Sequence, residues 1–257
     1  MKFKVKKNLG QHFINNSEVL NEIISIRNIE NENIIEIGPG FGALTKIILS
    51  KKPKEFTTIE KDENLKPFLD KLFEKKNEKF NIIYGDALKL KLDDIYKNKK
   101  IILIANLPYN IATTLIINWL QYIQIFKSII VMVQEEVADR LSAKTSSKSY
   151  GRLSVLIQLH TEVKKKIDVK PSFFNPPPKV SSSVIEIIPK KKVDFDYHKF
   201  DELLKLSFKF RRKKIKNNLI KFYPNIEKVF EINSININSR AQDIDPENYL
   251  NLYKSLY

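Results

Sequence analysis

At 257 residues, with 42% hydrophobic and 29% charged side chains, the chain can bury a large core and suits one α/β domain with a small appendage, which excludes wholesale disorder. Lys and Arg total 45 against 30 Asp and Glu, and the net charge of +15 points to a polyanionic partner, nucleic acid or an acidic membrane face, with bare solubility as the bland alternative. The absence of cysteine excludes disulfides and thiolate metal sites, and the three histidines, His12, His160 and His198, have no metal spacing, so no metal is expected.

In chain order, the amino-terminal segment is basic but lacks the apolar stretch of a secretory signal. A helical period over 17–26 precedes a first strand at 33–37. Strands follow at 55–60, 81–84, 101–106, 128–134, 153–160 and 184–188, with helical stretches at 44–49, 65–73 and 135–141 between them. Runs such as Ile101 to Ala105 and Ile129 to Val133 are continuously apolar, as strands covered on both faces of a parallel sheet are. This alternation predicts a doubly wound α/β sheet. Pro67 should kink or delay its helix if that helix is capped at Asp62. The runs 153–160 and 184–188 are separated by a segment holding Pro171, Pro176, Pro177 and Pro178, which reads as an antiparallel pair at a sheet edge. Beyond Lys190 to Lys192 the pattern is helical without strands, through 203–222 and 249–256, so a domain boundary is placed near Pro189, dividing 1–189 from 190–257. No apolar run approaches the ~20 residues that span a bilayer, and a soluble, cytoplasmic protein is expected.

Chemistry gathers at the strand ends. Glu36-Ile-Gly38-Pro-Gly40-Phe-Gly42 follows the first strand and precedes a helix, and its glycines let backbone approach a ligand. Glu60 ends the next strand, at the spacing where a carboxylate accepts both hydroxyls of a ribose. These residues suit adenosine but leave a nicotinamide dinucleotide and S-adenosylmethionine equally open. Gly85-Asp86-Ala87 sets a carboxylate at the next strand end, able to accept a hydrogen bond from an adenine amine. Asn106-Leu-Pro-Tyr109 then offers what an exocyclic NH₂ needs: the Asn106 amide oxygen and the Leu107 carbonyl as acceptors, and the Tyr109 ring as a flat face. The bland reading is a strand-end turn with an Asn cap.

Asn106-Leu-Pro-Tyr109 is similar to the (D/N)PP(Y/F)-like motif of amino-methyltransferases. Together with the Glu36–Gly40 and Gly85–Ala87 motifs, Asn8-Leu-Gly-Gln-His-Phe13, Phe174-Asn-Pro-Pro-Pro-Lys-Val180-Ser-Ser182, Phe210-Arg-Arg-Lys-Lys-Ile-Lys-Asn-Asn-Leu219 and Arg240-Ala241, it makes the chain resemble the KsgA-type ribosomal RNA adenine dimethyltransferases over nearly its whole length. The resemblance implies a Rossmann-like class I methyltransferase domain over 1–189 and a small, all-helical, basic RNA-binding domain over 190–257. It implies S-adenosylmethionine as cofactor and N6,N6-dimethylation of two adjacent adenosines near the 3′ end of small-subunit ribosomal RNA, linked to small-subunit biogenesis. His12 and Ile14 would close over the cofactor, Gly38 and Gly40 lie beside it, Glu60 take its ribose and Asp86 its adenine. Asn106 would serve both methyl donor and target amine, and Phe174 would face Tyr109 across a flipped adenine; without the resemblance, Phe174 reads as a buried aromatic. The expected partner is small-subunit RNA or the assembling particle, and the expected state is a monomer.

Lys205, Lys209, Arg211, Arg212, Lys213, Lys214, Lys216 and Lys221 share their segment with no acidic residue. On a helix they spread around more than one face, leaving Leu206, Phe210, Ile215 and Leu219 to pack, and Arg211 to Lys214 with Lys216 are the expected RNA contacts. Lys164 to Lys166 and Lys190 to Lys192 read more weakly, as exposed turns. The alternatives are a macrolide-resistance methylase acting on large-subunit RNA, a non-catalytic ribosome-assembly factor and a nicotinamide-dependent oxidoreductase. The last leaves Asn106 to Tyr109 and the basic tail without a role.

Overall fold

The computed structural model describes residues 6, 10–73, 79–96, 99–190 and 193–257. The strands are β1 (Phe13–Ile14), β2 (Asn33–Ile37), β3 (Glu55–Glu60), β4 (Phe80–Tyr84), β5 (Ile101–Asn106), β6 (Phe126–Gln134), β7 (Thr161–Val169), β8 (Phe174–Asn175) and β9 (Ser182–Pro189). The helices are α1 (Ser17–Ser25), α2 (Ala43–Ser50), α3 (Lys66–Leu72), α4 (Leu92–Ile95), α5 (Tyr109–Trp119), α6 (Glu135–Leu141), α7 (Arg152–His160), α8 (Tyr197–Ser207), α9 (Ile215–Leu219), α10 (Ile226–Ile232) and α11 (Pro246–Leu256). None of the described helices is long and apolar enough to cross a membrane.

Seven strands form one sheet in the order β4-β3-β2-β5-β6-β9-β7. The five from β4 to β6 are parallel, and β9 runs antiparallel to β6. The chain therefore winds outward from β2 through β3 to β4, then returns to β2's other side with β5. Ligands of open α/β sheets bind outside the carboxyl ends of the strands at such a reversal. Register sets which residues share that edge: Ile37 lies opposite both Ile59 and Ala105, and Glu60 lies opposite Tyr84. Residues 38, 60 and 106 consequently leave the sheet at one level, with 85 one position beyond. Ile101, Ile102, Leu103, Ile104 and Ala105 are all buried, as a central strand covered on both faces requires.

The expected strand at 153–160 is a helix instead. Val155, Leu156 and Leu159 fall on one helical face and pack with Phe200, Leu203 and Tyr249. The Ser154 hydroxyl accepts the Gly151 N–H at the helix start (3.0 Å). A short apolar run is ambiguous between strand and buried helix by periodicity alone. The strand beside β9 is β7, so Lys164 to Lys166 lie on an edge strand and not in a turn. Pro67 sits in the first turn of α3, after a 3₁₀ turn over Glu63–Leu65 capped by Asp62; there its missing N–H costs nothing.

The chain divides into two compact units, one of 1–138 and 163–189, the other of 139–162 and 190–257. The segment 139–162 groups with the carboxy-terminal helices because α7 contributes its apolar face to their core. Within that second unit the basic stretch is not one helix. Residues 208–213 form turns between α8 and α9, and Phe210 is 49% exposed where packing was expected, whereas Ile215 and Leu219 are fully buried. The basic residues before Lys6, together with Asn8, Leu9, Lys191 and Lys192, fall outside the described residues.

Candidate active site

The edge made by β2, β3, β4 and β5 opens into a cavity with about 920 Å³ of empty space, its mouth included, a size that admits a nucleoside-sized ligand. Its walls come from residues 10–13, from Ile37, Gly38 and Gly40 after β2, from Ile59 to Lys61 at the end of β3, from Gly85 to Ala87 after β4, and from Asn106 to Ile111. Eight of the expected site residues, His12, Gly38, Gly40, Glu60, Asp86, Asn106, Leu107 and Tyr109, line this one cavity. Ile14 lines a neighbouring cleft that shares Phe13, Gly38, Gly40 and Asn106 with it.

The loop after β2 turns through left-handed backbone at Gly38 (φ 70°) and Gly40 (φ 59°). A Cβ on Gly40 would stand 2.9 Å from two carbons of the Phe13 ring, so glycine is required both by conformation and by space. Gly40 N–H donates to Glu60 Oε2 (3.2 Å), and Asp62 N–H donates to Glu60 Oε1 (2.7 Å). Two backbone donors thus pin the carboxylate while it stays at the cavity wall, only 6% exposed. Burial raises the Glu60 pKa above the ordinary range, and the two donors partly oppose it.

Asp86 is held differently. Its Oδ2 accepts from Lys61 Nζ (2.8 Å) and its Oδ1 from Leu88 N–H (3.0 Å). The Lys61 ammonium keeps its pKa below the usual carboxylate value. One carboxylate is therefore buried and neutrally bonded, the other ion-paired, on adjacent strands.

At the end of β5, Asn106 Nδ2 donates to the His12 carbonyl (2.8 Å), which commits the amide and orients Oδ1 as its acceptor. Leu107 N–H bonds back to Met132 on β6 (3.2 Å). Tyr109 opens α5, and its hydroxyl meets Ser182 Oγ at 2.5 Å. Burial raises the phenol's pKa. The His12 ring stacks on the Tyr109 ring, with centroids 5.5 Å apart and planes 24° apart, and His12 Nδ1 donates to the Pro176 carbonyl (2.8 Å).

Phe174 departs from expectation. It is 3% exposed in the core with Ile24 and Val169, pairs through β8 with Ile14 of β1, and lines neither cavity. The ring facing Tyr109 is that of His12. Along β8 the side chains alternate, Phe174 buried in the core and Asn175 exposed at the neighbouring cleft.

One network was not foreseen from the sequence. Asp62, 1% exposed, accepts from Lys6 Nζ (2.6 Å) and Gln11 Nε2 (2.9 Å), tying the amino-terminal segment to the end of β3. Burial pushes the Asp62 pKa up, but these donors outweigh it and the net shift is downward. Gln11 stood in the Asn8–Phe13 motif without an assigned role, whereas Asp62 had no signal beyond a helix cap. In the second unit, Arg211, Arg212, Lys213 and Lys214 are exposed. Lys214 is bonded to Asn238, and Lys216 is ion-paired with Glu227.

A family model described as ribosomal RNA adenine dimethylase matches residues 2–257. A protein of Ehrlichia chaffeensis named ribosomal RNA small subunit methyltransferase A is 42% identical over 251 residues, 96% of this chain and 95% of that one. Its namesake in Wolbachia pipientis wMel is 40% identical over 249 residues, 96% of this chain and 87% of that protein. Among solved structures, a dimethyladenosine transferase from Plasmodium falciparum superposes with a TM-score of 0.79 at 26% identity, covering 94% of this chain and 96% of that one. The 23S rRNA methyltransferase ErmE superposes with a TM-score of 0.71 at 20% identity over 95% of this chain and 99% of its own, a likeness of fold.

Proposed function

This chain belongs to the ribosomal RNA adenine dimethylase family, and we propose that it dimethylates N6 of two adjacent adenosines near the 3′ end of small-subunit ribosomal RNA, with S-adenosylmethionine as methyl donor, in the cytoplasm and on the assembling particle. The observation that carries the reading is the strand register, which brings Gly38, Glu60, Asp86 and Asn106 to Tyr109 around one cavity.

The residues present fit this donor. Gly38 leaves its backbone open, since a Cβ there would meet nothing nearer than the Asn106 carbonyl oxygen at 3.8 Å, and Glu60 is a pinned, buried carboxylate beside the glycine loop. S-adenosylmethionine supplies an electrophilic methyl group on a sulfonium. Glu60 would accept from the ribose hydroxyls, Asp86 from the cofactor's adenine amine, and bare backbone at Gly38 would admit the methionine part.

The adenine N6 lone pair is delocalised into the ring and is a poor nucleophile. Asn106 Oδ1 and the Leu107 carbonyl take its two N–H groups, which favours a pyramidal nitrogen with its lone pair free. Positioning and electrostatics then supply the rate, and the proton leaves to solvent after transfer without a dedicated base. The target must leave its helix, at a cost of a few kcal/mol. Stacking on Tyr109, backed by His12 and anchored through Ser182, offsets roughly 1–3 kcal/mol of that. A monomethylated amine keeps one N–H and one lone pair, so a second transfer follows the same scheme.

The test is mass spectrometry of nucleosides from unmodified small-subunit particles incubated with the protein and S-adenosylmethionine. N6,N6-dimethyladenosine confined to small-subunit RNA is the expected product. Its absence, with cofactor bound, would overturn the reading.

A further inference from the structure

The second unit carries an exposed aromatic that the methyl-transfer site does not use. Phe210 sits at the crest of the turn between α8 and α9, 49% exposed. Lys213 Nζ lies 4.8 Å and Lys209 Nζ 5.8 Å from its ring centroid. Lys209, Arg212 and Lys213 form no ion pair with any described residue, so their charge is left for a partner.

The turn is nonetheless rigidly held. Buried Asn218 donates from Nδ2 to the Ser207 carbonyl (2.7 Å) and the Phe210 carbonyl (3.3 Å). Arg211 NH2 donates to the carbonyls of Lys148 (3.0 Å) and Tyr150 (2.7 Å). One guanidinium nitrogen of Arg211 thus fastens the turn. What the turn presents is a flat ring beside the exposed Lys209 and Lys213, with the exposed Arg212 in the same turn.

We infer that Phe210 is a stacking platform for an unpaired RNA base, with Lys209, Arg212 and Lys213 on the flanking phosphates. The inference rests on the reading of this chain as an RNA-modifying enzyme and names a second contact with the same substrate, apart from the reacting adenosine. Three things favour RNA over an apolar protein partner. No acidic residue occurs between Lys205 and Lys221, every base has a face that stacks on an aromatic ring whatever its sequence, and Lys209 and Lys213 set charge beside the ring, where the core of a protein interface is depleted of charged residues. An exposed lysine over a ring is a weak contact that an incoming base displaces.

The experiment uses the full chain and two probes of equal phosphate count, a single-stranded oligoadenylate and a blunt RNA duplex, at fixed salt. Phe210→Ala and Phe210→Leu should each weaken single-strand binding roughly tenfold and duplex binding less than about twofold. Phe210→Tyr should restore the single-strand affinity. The salt slope should not move, because no charge is removed. Equal loss on both probes, or no loss on either, would overturn the inference. Unchanged affinity for both RNAs with weakened binding to protein-bearing particles would overturn it in favour of a protein contact. A wild-type chain that transfers no methyl group while Phe210→Ala still loses single-strand affinity would dispose of the enzymatic reading and leave the platform standing.

Discussion

Asn106 is the residue where structure and the proposed chemistry meet most directly, because its Nδ2 is committed to the His12 carbonyl and, in the proposed mechanism, its Oδ1 grips the target amine. Asn106→Ala should lower the rate of methyl transfer on the order of 10²–10³-fold while RNA affinity stays within about twofold; full activity in a single-turnover assay would remove the amine-gripping role. Glu60→Gln takes away a charged acceptor and turns an amide N–H toward the donors of Gly40 or Asp62. Cofactor affinity, read by calorimetry, should fall about 10- to 150-fold, as loss of a hydrogen bond to a charged group predicts. Because burial raises the Glu60 pKa, affinity in the wild type should weaken on acidification beginning above the normal carboxylate range. Glu36 shows the opposite kind of pH effect. It is fully buried, accepts from Thr45 Oγ1 (2.6 Å), and burial lifts its pKa from 4.5 to about 8. A raised folded-state value means stability is present at low pH and is lost as pH climbs from 4.5 to about 8. This group alone should make the protein about 2 kcal/mol less stable at pH 8.5 than at pH 6. Glu36→Gln should abolish that decline in denaturant titrations; an unchanged decline would place its cause elsewhere.

At the scale of elements, the amino-terminal segment and the proline-rich connection before β9 cooperate around the cavity. β1 pairs with β8, His12 bonds Pro176, and Gln11 bonds Asp62. These ties set a segment distant in sequence beside the strand ends. The same pairing buries Phe174, so Phe174→Ala should cost about 3–5 kcal/mol of stability, as truncation of a core aromatic does. Loss of activity without loss of stability would show that the ring reaches the substrate. In the α8–α9 turn, Arg211 is bonded to backbone carbonyls whereas Arg212 is the proposed phosphate contact. Arg211→Ala should destabilise the helical unit by roughly 1–3 kcal/mol, since two carbonyls lose their donor. Arg212→Ala should leave the melting curve alone and reduce the slope of log affinity against log salt by about 1. The reverse assignment would reverse these outcomes. At this scale α7 departs from the sequence expectation: five of the eight residues from Leu153 to His160 are apolar and three of them are consecutive, a pattern that a strand and a buried helix share.

Across the whole molecule, the charge of +15 implies that RNA binding weakens steeply as salt rises, and the steepness counts the phosphates engaged. The sequence by itself determined the parallel sheet, through continuous apolar runs such as Ile101 to Ala105, and it determined which residues share the cavity edge, through motifs that each follow a strand. Local signals suffice there because a strand's carboxyl end must deliver its next residue to the sheet edge, whatever the rest of the chain does. Only the tertiary structure decided that Asp62 would be buried by Lys6 and Gln11, that His12 and not Phe174 would face Tyr109, that Arg211 would be a fastener, and that 139–162 would join the helical unit. Each of these depends on a partner far away in sequence. A side chain's partner across space is set by the packing of whole elements, and no local pattern carries it.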